Sequence, residues 1–189
     1  RPDFAPDGCD EYRLLIWTTT PWTLPSNLAA AVSSDLDYVC IIKDNKCYIL
    51  ASFAVNSYVK ELGVSPEEIE EVASGAPRGK GADLSGLTYE PLFPYFKDHK
   101  NSFVVFAADF VQEGDGTGVV HLAPGFGEDD QRVCEENDIK LVCPVGNSGK
   151  FTSEVSDFEG MQVFDANDPV IIKLKESGSW LKTDQYIHN

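Results

Sequence analysis

Two segments of the chain place polar side chains of a catalytic or ligand-binding kind where short apolar strands are expected to end. The first reads WTTTPWTLPSN over 17–27 and sets three hydroxyls on consecutive residues, Thr18, Thr19 and Thr20. Hydroxyls both donate and accept hydrogen bonds, so three in a row could hold an ester, a ribose or an attacking water molecule. Threonines before a turn are also typical of an ordinary strand end, and this alternative stays open for the segment taken alone.

The second segment, GDGTGVVHLAPGFGEDD over 114–130, runs from a glycine turn through an apolar strand into a loop of proline and glycine. His121 ends the strand, and two carboxylates follow the loop where a helix is expected to start. A carboxylate there could pair with an ammonium group, through a charge-assisted hydrogen bond. Asp130 could instead cap the helix, a duty for which Asp129 competes. A lone histidine after an apolar strand is more often structural, and this alternative also stays open.

Short strands are the elements that must position these residues. A strand over 12–16 is expected to end near Thr20, because a residue before proline avoids the helical conformation and Pro21 cannot donate to a sheet. The pair Asp44-Asn45 predicts a two-residue hairpin turn. The other expected strands cover 38–43, 46–50, 103–107, 119–122 and 180–186.

Capping residues and apolar spacing predict three helices. They cover 53–62, 131–136 and 169–177. Ser52 is placed to cap the first and Gly63 to end it, while Asp168 is placed to cap the third and Gly178 follows its end. From 65 to 96, frequent glycine and proline indicate short strands and turns. Many short strands with few helices favour an α+β fold, a strand-centred, barrel-like domain with flanking helices, and 189 residues fit one domain over 1–189.

Composition excludes several classes of function. Asp and Glu number 31 against 15 Lys and Arg, and the net charge of -16 argues against unaided binding to a phosphate backbone. The apolar runs are too short to cross a bilayer and no signal peptide opens the chain, which predicts a soluble protein without a membrane partner. Five cysteines without a C-x-x-C pair are expected to be reduced and mostly structural, in a reducing cytoplasm.

Cofactor and nucleophile motifs are missing from the sequence. It contains neither a Walker-type nor a dinucleotide-binding glycine motif, and no G-x-S-x-G elbow for a serine nucleophile. The three histidines lie far apart, and Glu128, Asp129 and Asp130 alone are a common solvated helix start. We therefore expect no metal and no cofactor.

Taken together, the two segments resemble the editing domain of isoleucyl-tRNA synthetase, a class I aminoacyl-tRNA synthetase, in order and separation. The resemblance continues through FEGMQVFDAND over 158–168 and QYIH over 185–188, so it covers essentially the whole chain. The sister domains for valine and leucine usually carry arginine-proline after two threonines and lack the histidine, so Thr20 and His121 favour the isoleucine member. The resemblance implies a barrel-like domain excised from a larger synthetase, whose activating signatures are absent from this chain.

The resemblance also implies a reaction and its partners. The expected reaction is hydrolysis of valine mistakenly esterified to tRNA(Ile), with valyl-adenylate as a further substrate, by attack of a positioned water. The partners implied are the valine-carrying 3′ end of tRNA(Ile) and the rest of the synthetase chain. An alternative from another class is that the isolated fragment binds aminoacyl ligands without appreciable catalysis, because its acidic surface cannot hold tRNA by itself.

The roles implied by the resemblance fall on seven residues. Thr18 and Thr19 would contact the ester, the terminal ribose or the water, and Asp130 would pair with the substrate α-ammonium. The residues that would set the size limit against isoleucine are Thr20, Trp22 and His121. For Asn27, two roles remain equal: it could brace its own loop or touch the terminal adenosine.

Overall fold

A computed structural model describes residues 1–114 and 116–183, and it confirms the predicted α+β class. The described strands are β1 (Glu11–Leu14), β2 (Ala29–Val32), β3 (Asp37–Lys43), β4 (Lys46–Ala51), β5 (Arg78–Lys80), β6 (Val104–Ala107) and β7 (Val119–Leu122). The described α-helices are α1 (Ile69–Gly75), α2 (Glu128–Glu136) and α3 (Asn167–Glu176). None of the helices in this part of the chain combines the length and apolar character that crossing a membrane requires.

The chain divides into two compact units, each made of three separate segments. The first unit consists of Arg1–Trp17, Ala30–Thr88 and Val104–His121. The second consists of Thr18–Ala29, Tyr89–Phe103 and the described chain from Leu122 onward. That residues 1–189 form a single functional domain stays a prediction.

The first unit contains a four-stranded sheet in the order β1-β4-β3-β5. β1 runs parallel to β4, whereas β3 is antiparallel to both β4 and β5. The hairpin predicted at Asp44-Asn45 is confirmed: both residues have positive φ, 52° and 61°, and they join β3 to β4. Its buried face contributes to an apolar core whose members are Val39, Ile41, Leu50, Ala54, Val55, Leu62 and Val64.

A three-stranded sheet has the order β6-β2-β7, and apart from Ala29 and Leu122 it belongs to the first unit. The strands expected at 103–107 and 119–122 are confirmed, but β2 between them was not predicted. Its sequence AAAV carries little strand propensity, although all four residues are buried. Thr117 links the two sheets of this unit: its carbonyl accepts from the Ala51 amide at 2.8 Å and its hydroxyl donates to the Leu15 carbonyl.

The α-helix predicted over 53–62 is wrong. Residues Ser52–Ser57 form a 3-10 helix, Ala51 precedes it, and no side chain caps it. Asn and Ser side chains compete for backbone groups inside a helix, so Asn56 and Ser57 favour an early end. Gly63, expected to end the helix, has a φ of 71° but lies beyond the 3-10 helix, which ends at Ser57. In the region expected to hold only short strands and turns, α1 is an additional helix.

The expectation that all five cysteines are reduced is also wrong for one pair. Cys40 on β3 and Cys47 on β4 form a disulfide, with their Cα atoms 5.8 Å apart. The hairpin register brings them together. Cys40 pairs with Ile49 and Cys47 pairs with Ile42, so Cys47 lies on the neighbouring strand two residues from the position opposite Cys40. Their separation lies in the usual range for a bridge. The free cysteines are Cys9, Cys134 and Cys143.

Gly81 lies where a side chain has no room, because an added Cβ atom would overlap the carbonyl group of Ser33. We expect Gly81→Ala to lower the free energy of unfolding by about 3 kcal/mol, since only a backbone shift could relieve the overlap. Gly75→Ala is the control: an added Cβ atom there meets nothing within 4 Å. Denaturant unfolding of both variants is the measurement, and equal midpoints would contradict the expectation.

The second unit is built around α2 and α3. The helix expected over 131–136 is confirmed and begins three residues earlier, at Glu128. The helix expected over 169–177 is confirmed as Asn167–Glu176, with Gly178 at φ 76° after it. Its predicted cap is wrong, because Asp168 lies inside the first turn and no side chain caps the helix. Buried residues of this unit include Leu28, Leu122, Val133, Cys134, Phe151, Phe158, Val170 and Leu174.

Two expectations fall partly outside the described residues. Trp180 to Thr183 contain no strand, and the rest of the strand expected over 180–186 lies beyond the described chain, as does QYIH at 185–188. In the glycine turn, Gly114 and Gly116 both have positive φ, 96° and 50°, whereas Asp115 lies outside the described residues.

Candidate functional site

Three threonine hydroxyls of the second unit form a continuous chain. The Thr18 hydroxyl accepts from the Thr20 amide at 3.0 Å and lies 3.3 Å from the Thr20 hydroxyl. The Thr20 hydroxyl in turn lies 3.3 Å from that of Thr23, which donates to the Thr20 carbonyl at 2.9 Å. Thr19 and Thr20 are exposed, and Thr23 is buried. The hydroxyls are thereby oriented by one another at the surface of the turn, as contacts to a ligand require.

Trp22 is fixed by two aromatic rings and one long-range hydrogen bond. Its ring meets Phe126 edge-on at 5.0 Å and Phe164 edge-on at 5.9 Å between centroids. The Trp22 amide donates to Oδ1 of Asn167 at 3.0 Å. Such edge-to-face pairs are each worth about 0.5–1.5 kcal/mol beyond the area that they bury. Trp22 therefore has a defined orientation, which a residue that limits ligand size needs.

Asn27 braces its own loop. The side chain is 6% exposed, its Nδ2 donates to the Ala29 carbonyl at 2.9 Å, and its Oδ1 accepts from the Tyr89 hydroxyl. Both ends of the amide are thus engaged by protein groups. Of the two roles that the sequence left equal, these contacts favour bracing over contact with an adenosine.

Asp130 is half-buried in the first turn of α2 and holds the preceding loop. Its Oδ2 accepts from the Ala123 amide at 2.8 Å, while α2 itself begins after Gly127 without a side-chain cap. Burial is the main cause that raises the pKa of the Asp130 carboxyl, and the charge of Asp129 adds to it. The hydrogen bonds from the Ala123 amide and from its own amide act in the opposite direction and lower that pKa. Neither Asp130 nor Asp129 caps the helix.

Gly127 lies directly under this carboxylate. A Cβ atom on residue 127 would come within 2.8 Å of the Asp130 Oδ1 atom. The φ of Gly127 is -159°, extended backbone that any residue adopts, so closeness to the carboxylate is what glycine provides here. The position of the carboxylate therefore depends on two features of the loop, the Ala123 donor and the missing side chain at 127.

The two sequence segments meet inside the second unit. The Leu28 amide, which follows the first segment, donates to the Leu122 carbonyl at 3.0 Å, and the rings of Trp22 and Phe126 are in contact. Leu122 and Phe126 flank the loop that Asp130 holds. Sequence reasoning expected the two segments to cooperate, and these contacts join them. The individual roles of Thr18, Thr19, Thr20, Trp22, Asn27 and Asp130 toward a substrate stay predictions.

His121 belongs to the first unit, on β7. The side chain is 7% exposed, and burial lowers its pKa to about 4. The imidazole is therefore neutral at pH 7 and can contact a ligand only by shape or by a neutral hydrogen bond. That His121 limits the size of the ligand stays a prediction.

Acidic, thiol and imidazole groups do not assemble into a metal centre in the part of the chain that the structure describes. No group of three or more His, Cys, Asp or Glu side chains is placed there to hold an ion. The expectation of a site without metal or cofactor stays a prediction.

Four contributors to this arrangement were missed at the level of sequence. Phe126 and Gly127 lie inside the segment 114–130, where a glycine three residues before a candidate carboxylate is a local signal of a close approach. Tyr89 and Asn167 contact residues 62 and 145 positions away along the chain. No local pattern marks such pairs.

The chain is similar in sequence to isoleucine–tRNA ligases, although no family model matches it. It is 65% identical to the isoleucine–tRNA ligase of Rickettsia africae (strain ESF-5) over 179 residues, which are 95% of this chain and 16% of that protein. It is 62% identical to the isoleucine–tRNA ligase of Rickettsia prowazekii (strain Madrid E) over 183 residues, 97% of this chain and 16% of that protein. The chain thus spans about a sixth of the ligases that it matches.

Solved structures with a similar fold include the GlLeuRS-CP1 structure and a leucyl-tRNA synthetase editing domain. The GlLeuRS-CP1 structure superposes with a TM-score of 0.68 at 14% identity, over 94% of this chain and 85% of that chain. The P. knowlesi cytosolic leucyl-tRNA synthetase editing domain superposes with a TM-score of 0.62 at 13% identity, over 89% and 82%. At such low identities the agreement concerns the fold alone.

Proposed function

We propose, because the chain is similar in sequence to isoleucine–tRNA ligases and in fold to a leucyl-tRNA synthetase editing domain, that it hydrolyses valine mistakenly esterified to tRNA(Ile). The observation that carries the proposal is the junction of the two segments in the second unit, where Trp22 contacts Phe126 and Leu28 pairs with Leu122. These contacts connect the turn that contains Thr18–Thr20 to the loop between Leu122 and Asp130. The partners are the valine-carrying 3′ end of tRNA(Ile) and the rest of the synthetase, in the cytoplasm.

A second site is physically necessary for such a synthetase. A pocket that accepts isoleucine cannot strongly reject valine, because a missing methylene changes binding by only about 1–3 kcal/mol, a magnitude known for this very pair of amino acids. The editing site must select in the opposite sense and exclude the larger side chain by overlap. Overlap is costly when the wall cannot move. Trp22, held by Phe126, Phe164 and Asn167, is such a wall, and Thr20 is fixed beside its neighbouring hydroxyls.

Asp130 supplies the anchor for the substrate. Its Oδ2 is occupied by the Ala123 amide, and Oδ1 is the oxygen that would pair with the α-ammonium of valine. A cationic ligand favours the ionised carboxylate and so opposes the effect of burial on its pKa. This pairing would fix the amino-acid end of the substrate. The direction in which the ester carbonyl faces would then be fixed as well.

Hydrolysis needs a positioned water rather than a nucleophilic side chain. The hydroxyls of Thr18 and Thr19 would hold the ester, the terminal ribose or the water, and the rate would come from orientation and from polarisation of the ester carbonyl. Attack of water breaks the bond between the valyl carbonyl and the ribose oxygen, which leaves free valine and an intact tRNA end. Valyl-adenylate, with its similar acyl carbon, is a further substrate of the same groups.

Deacylation by the full-length synthetase tests this function. We expect release of valine from valyl-tRNA(Ile) to exceed release of isoleucine from isoleucyl-tRNA(Ile), and Thr20→Ala to raise isoleucine release because the wall loses a branched side chain. Free amino acid set loose from each tRNA over time is the measurement. Equal release of the two amino acids by the unaltered enzyme would contradict the proposed selectivity, and unchanged selectivity in Thr20→Ala would remove Thr20 from the wall.

The isolated fragment distinguishes the alternative function. Calorimetry with a non-hydrolysable valyl-adenosine analogue reports binding, and deacylation by the same fragment reports catalysis. Binding without turnover by the fragment, alongside turnover by the full-length enzyme, would identify the fragment as an aminoacyl-binding module that needs the remaining chain to hold tRNA. The net charge of -16 is the property that favours this outcome for the fragment.

A further inference from the structure

We infer that Tyr89 is a positioning residue for the hydrolytic site: its hydroxyl fixes Asn27, and the backbone after Asn27 is hydrogen-bonded to the loop that orients the Asp130 carboxylate. The inference rests on the proposed function and assigns a residue that neither sequence segment contains. All of the groups involved belong to the second unit. Contacts lead from Tyr89 to Asn27, and from Leu28 to the loop that Asp130 holds.

The first step is the contact between Tyr89 and Asn27. The phenol hydroxyl donates to Asn27 Oδ1, and the Asn27 Nδ2 donates to the Ala29 carbonyl at 2.9 Å. Burial raises the pKa of Tyr89 far above its ordinary value, so the phenol keeps its proton and remains the donor. The ring itself is held edge-on against Phe103, with centroids 5.9 Å apart. Tyr89 therefore fixes the orientation of the Asn27 amide from a packed position.

The second step passes along the backbone that follows Asn27. The Leu28 carbonyl accepts from the Phe103 amide at 2.6 Å, and the Leu28 amide donates to the Leu122 carbonyl at 3.0 Å. The next amide, that of Ala123, donates to Asp130 Oδ2 at 2.8 Å. A shift of Asn27 would therefore move Leu28, its partner Leu122 and the donor that orients the carboxylate.

The backbone conformation of Phe103 indicates that the contact between Phe103 and Leu28 is held firmly. Its φ is 62°, a left-handed conformation that is an outlier for a bulky side chain. Such a backbone conformation persists only where surrounding contacts hold it in place. Here the contacts are the hydrogen bond from the Phe103 amide to the Leu28 carbonyl and the ring contact with Tyr89. Tyr89 thus contacts two residues beside Leu28: its ring packs against Phe103, and its hydroxyl donates to Asn27.

The buried thiol of Cys134 lies one helical turn after Asp130 on α2. Burial is the first cause that raises the Cys134 pKa to about 12, and the charge of Asp130 contributes. The same thiol contributes to the raised pKa of Tyr89. The Asp130 carboxylate and the Cys134 thiol lie on the same side of α2, since residues four apart on a helix are neighbours.

Tyr89→Phe in the full-length synthetase tests the inference, since it removes the hydroxyl and keeps the ring. We expect kcat for valyl-tRNA(Ile) deacylation to fall about tenfold with KM nearly unchanged, because a misplaced anchor impairs the geometry of attack more than the binding of tRNA. Asn27→Ala should have a similar effect, and the double variant should lose no more than the stronger single variant. Hydrogen exchange at the Ala123 amide should become faster in Tyr89→Phe.

Tyr95→Phe is the matched control in the same unit, because its hydroxyl also donates to a side-chain oxygen, that of Asp157 at the surface. It should leave kcat and Ala123 exchange unchanged. An active parent enzyme whose Tyr89→Phe variant keeps both values would overturn the positioning role alone. Additive losses in the double variant would also overturn it. A parent enzyme that releases no valine would overturn the proposed function, and the positioning role with it.

Discussion

Asp130→Asn is expected to slow deacylation of valyl-tRNA(Ile), measured as kcat/KM, by about 10- to 100-fold. The amide oxygen of asparagine still accepts from the Ala123 amide, so the loop keeps its support. The loss is confined to the charge that would pair with the substrate ammonium, and a hydrogen bond to a charged group is worth about 1.5–3 kcal/mol. Initial rates of valine release over a range of tRNA concentrations are the measurement.

Two further variants separate the charge of this carboxylate from its position. Asp129→Asn removes a neighbouring charge whose ion pair with Arg132, at 3.5 Å, is exposed, and it should leave the rate near that of the parent. Gly127→Ala keeps the carboxylate but forces it away from its present place, and it should slow the reaction. An Asp130→Asn enzyme with the parent rate would show that Asp130 is not the ammonium ligand.

Acidification is expected to destabilise the protein through His121. Its pKa is about 4 in the folded chain and about 6.5 in an unfolded one, so the unfolded state gains a proton first as the pH falls. The neutral imidazole costs no stability above about pH 6.5. As the pH falls from 6.5 to 4, the free energy of unfolding decreases, and the loss at pH 4 is about 3 kcal/mol. The sign follows from burial, which disfavours the charged imidazolium.

Comparison of His121→Gln with the parent isolates this contribution. Free energies of unfolding in denaturant at pH 7 and pH 4 give the pH-dependent loss for each protein, and the loss should be smaller by about 3 kcal/mol in His121→Gln. His99→Gln is the control, because His99 is on the other unit and bonds through its Nε2 to the Lys140 carbonyl. Equal losses in His121→Gln and the parent would refute a buried neutral imidazole.

Local chemistry explains which elements could be predicted from the sequence. The hairpin at Asp44-Asn45 and the presence of α2 depend on neighbours in the chain, and both were predicted. The strand β2 was missed because AAAV has no strand pattern and gains its place from the strands on either side. The false helix at 53–62 arose because apolar spacing was counted without the weight of Asn56 and Ser57 against an α-helix.

In the candidate site, too, features set by neighbours in the chain could be predicted, whereas features set by the fold could not. Thr18, Thr20 and Asp130 could be proposed from the sequence because each lies in a short local motif, and their roles stay predictions. The contacts that orient them were not, because Tyr89 and Asn167 reach their partners through the fold. The disulfide between Cys40 and Cys47 likewise depends on strand register, which a cysteine count does not contain.

The hydrogen bond between Trp22 and Asn167 also sets a limit on how far the protein can be trimmed. A recombinant piece that stops before α3 would contain every residue of both motifs and would still lose the acceptor for the Trp22 amide. The neighbouring ring of Phe164 would sit at its frayed terminus. The shortest active piece should therefore extend through Glu176, and activity lost on removal of α3 should be ascribed first to a loosened Trp22 rather than to missing chemistry.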